Sequence, residues 1–164
     1  YLTHLLAVTA LVGEHGGDEE QMIAAVLHDY VEDIEGAQIS DIETRFGPRV
    51  ARIVLSLSDA TERPKPPWEV RKDVYLRRLR SEDADVKLVA AADKMHNATS
   101  ILRDHARIGD GVFALFTVPK AKTLWYYRAV HDALSDGFDH PLVTELGSVV
   151  SALHDVAREP WPGR

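Results

Sequence analysis

One short stretch of the chain, His-Asp-Tyr-Val-Glu-Asp, concentrates side chains that bind metal ions and move protons. If residues 18 to 31 form a helix, His28 and Glu32 lie one turn apart, as do Asp29 and Asp33, so all four project over a limited arc. An adjacent imidazole and carboxylate can reach one cation from two directions, and a carboxylate pair one turn on can orient a water bound to that cation. The alternative is a charged, solvated helix end with no chemical role.

A cation of this kind also needs ligands from other elements. His4, near the start, and Asp93, in the middle of the chain, are candidates, and with the pair His28-Asp29 they give two imidazoles and two carboxylates from three helices. This set suits Mn²⁺, Fe²⁺ or Zn²⁺ better than Ca²⁺ and leaves positions open for water and substrate. By residue type alone, an isolated histidine such as His4 is more often a surface or packed residue than a ligand.

The composition favours one domain with a full hydrophobic core. The chain has 164 residues, 45% of them hydrophobic, and no cysteine, which excludes disulfides, thiol catalysis and cysteine zinc sites and makes a cytoplasmic location the default expectation. A net charge of −7 argues against general binding to nucleic acids or membrane surfaces, but not against a small phosphorylated ligand. No apolar run approaches the ~20 residues that are needed to span a bilayer.

The spacing of apolar residues predicts an all-helical fold without strands or repeats. Capping-box patterns at Asp18 with Gln21 and at Ser40 with Glu43 mark two helix starts. The predicted helices cover residues 3 to 14, 18 to 31, 40 to 46, 48 to 57, 85 to 107, 119 to 135 and 141 to 158.

The long helix from residue 85 to 107 is apolar around most of its girth, which is typical of the central helix of a bundle. Along it, Asp93, His96, Asn97 and Ser100 form a polar stripe at helical spacing. A buried carboxylate is costly unless a cation or a hydrogen-bond donor meets it. The stripe is therefore a second candidate part of the site.

Two further features have more than one interpretation. Residues 63 to 80 hold seven basic positions (63, 65, 71, 72, 77, 78 and 80) against two acidic ones (69 and 73), which indicates either phosphate binding or a solvated helix face. Three consecutive aromatic residues, Trp125, Tyr126 and Tyr127, are expected to pack on the core rather than to stack on a base.

Several separated motifs together resemble the HD-domain phosphohydrolases, in particular the hydrolase domains of RelA/SpoT-type proteins and their small single-domain relatives. The motifs are His4, Leu27-His-Asp-Tyr-Val-Glu-Asp33, Phe46-Gly47 and Ala92-Asp-Lys-Met-His-Asn97, in the order and at the intervals that the family shows. The resemblance selects the first His-Asp pair over those at 131 and 154. It implies a single-domain all-α HD bundle over residues 1 to 164, with the metal site within 1 to 104 and packing or lid helices within 119 to 158.

The resemblance also implies roles for the candidate residues. One divalent metal, usually Mn²⁺ in this group, is held by His4, His28, Asp29 and Asp93. The pair Glu32-Asp33 orients and deprotonates the attacking water.

The substrate that the resemblance implies is guanosine 3′,5′-bisdiphosphate (ppGpp), from which the 3′-pyrophosphate is removed by hydrolysis. Asn97 matches a nucleotide-contacting position of the family, and Lys94 lies beside it. Arg71 and Lys72 of the basic segment are our candidates for gripping the distal phosphates. Ser100, at the end of the polar stripe, is a further candidate for substrate contact.

Three other functions compete with this one. A hydrolase of a different phosphorylated nucleotide would keep every metal ligand and change only the pocket. A catalytically silent helical module that binds a nucleotide or a protein has no need of Glu32 and Asp33, so their presence argues against it. A di-iron oxygenase would need the Glu-x-x-His repeats of ferritin-like bundles, which the sequence lacks.

Overall fold

The chain folds into helices throughout the part that the computed structural model describes, residues 1–59 and 64–158, and no strand occurs in these ranges. The helices are α1 (Leu2–Glu14), α2 (Glu19–Leu27), α3 (Tyr30–Asp33), α4 (Ile39–Phe46), α5 (Pro48–Leu57), α6 (Trp68–Ser81), α7 (Ala84–Ile108), α8 (Lys120–Ser135) and α9 (Pro141–Ala157). A 3-10 segment, Gly109–Leu115, joins α7 to α8. The predicted all-α fold is confirmed. None of the described helices is both long and apolar enough to cross a membrane.

Helix α7 is the centre of the bundle, as its apolar girth predicts. It packs against α1, α2, α5, α8 and α9, and every residue from Val86 to Asp93 is buried. Its first turn is capped by Asp83, whose carboxylate accepts a hydrogen bond from the amide of Val86 at 3.2 Å. Because the buried run ends at Asp93, this carboxylate lies inside the bundle and requires partners there.

The tight turn between α1 and α2 brings the two helices side by side. Gly16 has a φ of +83°, and a Cβ added to Gly17 would lie 2.4 Å from a methyl carbon of Val12, so the close approach requires glycine. The predicted capping box then opens α2, since Asp18 accepts from the amide of Gln21 at 3.0 Å and Gln21 accepts from the amide of Asp18 at 2.9 Å. This packing places the start of α1 near the end of α2.

Arg49, in the first turn of α5, ties three helices together. Its guanidinium contacts the carboxylates of Asp18 at 2.7 Å, Glu20 at 2.8 Å and Asp85 at 2.8 Å. Asp18 and Glu20 belong to the start of α2, and Asp85 belongs to the start of α7. The ion pairs therefore hold the N-terminal ends of α2, α5 and α7 in register.

The predicted helix over residues 18 to 31 is wrong at its C-terminal end, because α2 ends at Leu27 and the four-residue α3 follows. The Nδ1 atom of His28 hydrogen-bonds the carbonyl oxygen of Ala25 at 2.7 Å, an acceptor that a continuing helix would use for the amide of Asp29. The backbone of Asp29 accordingly leaves the helical region, with φ −95° and ψ 0°. The side chains of His28 and Asp29 thus project from the turn between α2 and α3, and those of Glu32 and Asp33 project from α3.

Two smaller predictions also need correction. The capping box of α4 is formed by Gln38 and Asp41 rather than by Ser40 and Glu43, so the helix begins at Ile39. Of the three aromatic residues in α8, two are buried as expected, but Trp125 is half-exposed. Residue 63, the first basic position of the segment from 63 to 80, lies outside the described residues.

Candidate active site

The four predicted metal ligands converge where α1, α7 and the bend after α2 meet. The Nε2 atoms of His4 and His28 are 3.2 Å apart, and Oδ1 of Asp93 lies 3.3 Å from the first and 3.7 Å from the second. Oδ2 of Asp29 lies 3.3 Å from Nε2 of His28. Residues 92 positions apart in the sequence are thus joined in one cluster, since His4 also contacts His96 through their Nδ1 atoms at 2.8 Å.

The geometry of the cluster fits a divalent transition metal. Neighbouring ligand atoms that each lie about 2.1 Å from a cation are about 3 Å apart, which is close to the separations found here. The hydrogen bond from Nδ1 of His28 to the carbonyl of Ala25 leaves Nε2 with the lone pair that a metal requires. Ligand atoms of His4, His28 and Asp29 all lie within 4.8 Å of one another. Two imidazoles and two carboxylates are a donor set for Mn²⁺, Fe²⁺ or Zn²⁺.

Asp93 is the buried anion at the base of the cluster. Its carboxylate accepts from Lys94 Nζ and from Asn97 Nδ2, each at 2.6 Å. Burial by itself would raise the pKa of Asp93, but Lys94, His4 and His28 outweigh burial and hold it well below its ordinary value. Asp93 is therefore ionised, as binding to a cation requires.

Glu32 and Asp33, from α3, border this cluster in different environments. The Glu32 carboxylate is 17% exposed, and it accepts from the backbone amide of Asp59 at 2.8 Å and from Lys65 Nζ at 3.3 Å. Burial, followed by the negative charge of Asp59, raises the pKa of Glu32. Asp33 is exposed. Hydrogen bonds therefore fix the position of the Glu32 carboxylate, and its affinity for a proton is increased, as a general base requires.

An open cavity of about 390 Å³ contains the cluster and the acidic pair. Its lining consists of Tyr1, His4, His28, Asp29, Glu32, Asp33, Leu57, Asp59, Lys72, Tyr75, Asp93, Lys94, Asn97 and Tyr126. A larger cavity, of about 670 Å³, borders the site at Asp33 and offers no imidazole and no cationic side chain among its described lining residues. Another, of about 650 Å³, has one imidazole, that of His131, and no lysine or arginine among its described lining residues. Of these three cavities, the one of about 390 Å³ combines imidazoles, carboxylates and lysines.

The predicted substrate contacts divide into those that line this cavity and those that do not. Lys72, Lys94 and Asn97 line it. Arg71 lies outside the lining, where it donates to both oxygens of Asp59 and to the carbonyl of Pro66. Ser100 also lies outside the lining and accepts from Arg103 at 3.0 Å. The substrate roles of all five residues remain predictions.

Asp59, which the sequence interpretation did not single out, organises one side of the cavity. Its carboxylate is 8% exposed and accepts from Arg71 at 2.6 Å and from Lys72 at 2.5 Å, while its amide holds Glu32. Burial opposes the ionisation of Asp59, but Lys72 and Arg71 more than compensate and bring its pKa to about 2. Asp59 lies two residues beyond the end of α5, outside any helical pattern of apolar residues. Its role could not be predicted from the sequence, because it depends on the packing of α6 against it.

Two tyrosines, Tyr75 and Tyr126, also line the cavity, a position that the sequence did not predict for either. Both are buried, and Lys94 Nζ lies 5.8 Å from the ring centre of Tyr75 and 5.9 Å from that of Tyr126. Burial raises the pKa of Tyr75 to about 12, so its phenol is protonated at neutral pH. Helices α6 and α8 thus add aromatic walls to a pocket whose predicted metal ligands lie on α1, on α7 and in the turn between α2 and α3.

Comparisons with known proteins agree with this architecture. The HD domain family matches residues 1–119. The Drosophila melanogaster guanosine-3′,5′-bis(diphosphate) 3′-pyrophosphohydrolase MESH1 is 31% identical over 99 residues, which are 59% of this chain and 53% of that protein. The bifunctional (p)ppGpp synthase/hydrolase SpoT of Escherichia coli is 32% identical over 107 residues, 62% of this chain but 15% of that protein. The crystal structure of lmo0812 from Listeria monocytogenes superposes with a TM-score of 0.83 at 29% identity, covering 93% of this chain and 99% of that chain.

Proposed function

The chain belongs to the HD domain family, and from this premise we propose that it is a metal-dependent phosphohydrolase that removes the 3′-pyrophosphate of ppGpp. The main observation in support is that Nε2 of His4, Nε2 of His28 and Oδ1 of Asp93 lie 3.2 to 3.7 Å from one another. This cluster shares its cavity with Glu32 and Lys72. The residues proposed as cation ligands, base and phosphate-binding cation thus line one pocket, as hydrolysis of a phosphoanhydride or phosphate ester requires.

In the proposed mechanism, His4, His28, Asp29 and Asp93 would hold one divalent cation, for which we propose Mn²⁺. Such a cation lowers the pKa of water and neutralises charge that develops on the attacked phosphoryl group. Its negatively charged ligands, Asp29 and Asp93, both line the cavity.

Glu32 accepts the proton of the attacking water. The amide of Asp59 and the ammonium group of Lys65 fix the orientation of its carboxylate. Its raised pKa increases its affinity for the proton. Asp33, on the same short helix, orients the water. As the oxygen–phosphorus bond forms, the bond from phosphorus to the 3′ oxygen breaks, the 3′ oxygen takes a proton from solvent to become a hydroxyl, and GDP and pyrophosphate are released.

Lys72 and Lys94 balance the charge of the nucleotide phosphates. Both side chains line the cavity and are 16% exposed, so their charges are only weakly screened by solvent. Asn97 binds the nucleotide through the amide group that now contacts Asp93. Arg71, which Asp59 holds outside the lining, supports the distal phosphates only if it exchanges partners.

The test is Mn²⁺-dependent release of pyrophosphate from ppGpp, measured beside a panel of other phosphorylated nucleotides. We expect the wild type to hydrolyse ppGpp and the double variant Glu32→Gln, Asp33→Asn to lose about 10²- to 10⁴-fold in kcat, the range for loss of general base catalysis. Glu35→Gln is the matched control, because this exposed residue is absent from the site lining. Undiminished turnover by the double variant would rule out the assigned base. Turnover of another nucleotide in preference to ppGpp would change the substrate, and turnover of none would favour a silent binding module.

A further inference from the structure

Tyr126 of α8 contributes to the wall of the site cavity, yet its hydroxyl oxygen has no hydrogen-bond partner among the described residues. The side chain is 8% exposed, and the hydroxyl itself is buried. Native proteins seldom leave a buried hydroxyl unpaired unless a ligand or water meets it, because its lost hydration is not replaced. An unpaired donor in the wall of a binding cavity therefore indicates a contact that the ligand completes.

The charged side chains around Tyr126 indicate that the ligand of its hydroxyl is an anion. Lys72 Nζ lies 4.6 Å and Lys94 Nζ 5.9 Å from the centre of its ring, and both lysines line the same cavity. Lys72 donates to Asp59 and Lys94 donates to Asp93, and an ammonium group has three donors, so both retain N–H groups for a ligand. Two cations and a phenol around one volume match the oxygen-rich surface of a phosphate.

The ring of Tyr126 is fixed before any ligand arrives. Trp68 packs edge-on against it with the ring centres 5.9 Å apart, and Tyr127 packs against it at 6.1 Å. Burial raises the pKa of the Tyr126 phenol, so the group remains a donor at neutral and mildly alkaline pH. A pre-positioned donor loses little entropy on binding, which makes its contribution to affinity larger.

We propose that Tyr126 is a substrate-binding residue whose hydroxyl donates a hydrogen bond to a phosphate oxygen held between Lys72 and Lys94. This inference rests on the proposed function, since it takes the ligand of the cavity to be a phosphorylated nucleotide. It gives α8, which supplies none of the predicted site residues, a direct part in binding.

The experiment measures the affinity of inorganic pyrophosphate for the full chain by calorimetry, without metal or nucleotide, together with the melting temperature. Tyr126→Phe removes only the hydroxyl, and we expect pyrophosphate affinity to fall about tenfold or more, as for loss of a hydrogen bond to a charged group. The melting temperature should stay the same or rise, because the variant deletes an unpaired buried polar atom. Tyr127→Phe is the matched control, since this neighbouring tyrosine is equally buried but lines only the adjacent aromatic cavity.

Pyrophosphate affinity of Tyr126→Phe within twofold of wild type, or an equal loss of affinity in Tyr127→Phe, would overturn the inference. A lower melting temperature of Tyr126→Phe would also overturn it, because the hydroxyl would then have a structural partner. Absence of pyrophosphate binding by the wild type would also overturn it. Turnover of ppGpp is measured separately, so loss of affinity in Tyr126→Phe without any wild-type turnover would uphold the phosphate contact and reject the proposed reaction.

Discussion

Replacing Asp59 by asparagine should lower the free energy of unfolding by about 2 kcal/mol at pH 7, because this carboxylate is the buried partner of two cations. The variant keeps the backbone amide that holds Glu32, so only the interactions of the carboxylate with Arg71 and Lys72 are removed. The magnitude follows from proton linkage. The pKa of Asp59 falls from an ordinary 3.8 to about 2 in the folded chain, and each pKa unit corresponds to about 1.4 kcal/mol.

The sign of the pH dependence is fixed by the direction of this shift. Because the pKa of Asp59 is lower in the folded than in the unfolded chain, the stabilisation is complete above the unfolded value and is lost as pH falls through about 2. The difference between wild type and variant should therefore be constant from pH 7 to pH 5 and shrink to about half by pH 3.

Urea unfolding at pH 7, 5, 4 and 3 measures this difference, with Asp73→Asn as the matched control. Asp73 pairs with Arg77 on the same helix as Arg71 and Lys72, but the two side chains are 66% and 70% exposed, so its loss should cost below about 0.5 kcal/mol. A cost for Asp59→Asn equal to that of the control at pH 7, or one that persists unchanged at pH 3, would refute the reasoning.

Two further predictions concern the base and the helix register. The charge of Asp59 contributes to the raised pKa of Glu32, so Asp59→Asn should lower the pKa of Glu32. The acidic limb of the pH profile of kcat/KM for ppGpp should then move to lower pH. An acidic limb that stays in place or moves to higher pH would contradict the assignment of Glu32 as the base. Arg49→Met should lower the free energy of unfolding in urea by about 1 to 2 kcal/mol, because one guanidinium bridges α2, α5 and α7. The control Arg77→Met should lower it by less than about 0.5 kcal/mol. Equal losses in the two variants would show that the bridge does not contribute.

The sequence predicted the fold class because apolar spacing is a local signal, whereas the four metal ligands stay a prediction. Apolar spacing identified α7, and residue type marked Asp93 as a buried carboxylate in need of a partner. The convergence of His4 with it could not follow from spacing, since it depends on how α1 packs across α7; the resemblance to a known family supplied that step.

The remaining features depend on tertiary contacts that no local pattern encodes. Adjacent side chains on a helix point about 100° apart, so the sequence could not tell that Lys72 lines the cavity while Arg71 is held outside it. The end of α2 at Leu27 depends on a hydrogen bond from the ring of His28 to a backbone carbonyl, which competes with the helix. Tyr126 satisfied the expectation of a packed aromatic residue and also lines the site.

The central claim is that four residues share one divalent cation, and anomalous scattering at the manganese edge from crystals grown with Mn²⁺ tests it most directly. We expect one peak within about 2.3 Å of Nε2 of His4, Nε2 of His28 and one carboxylate oxygen each of Asp29 and Asp93. A peak elsewhere, for example among the carboxylates of the cavity of about 670 Å³, or none at saturating Mn²⁺, would contradict the account.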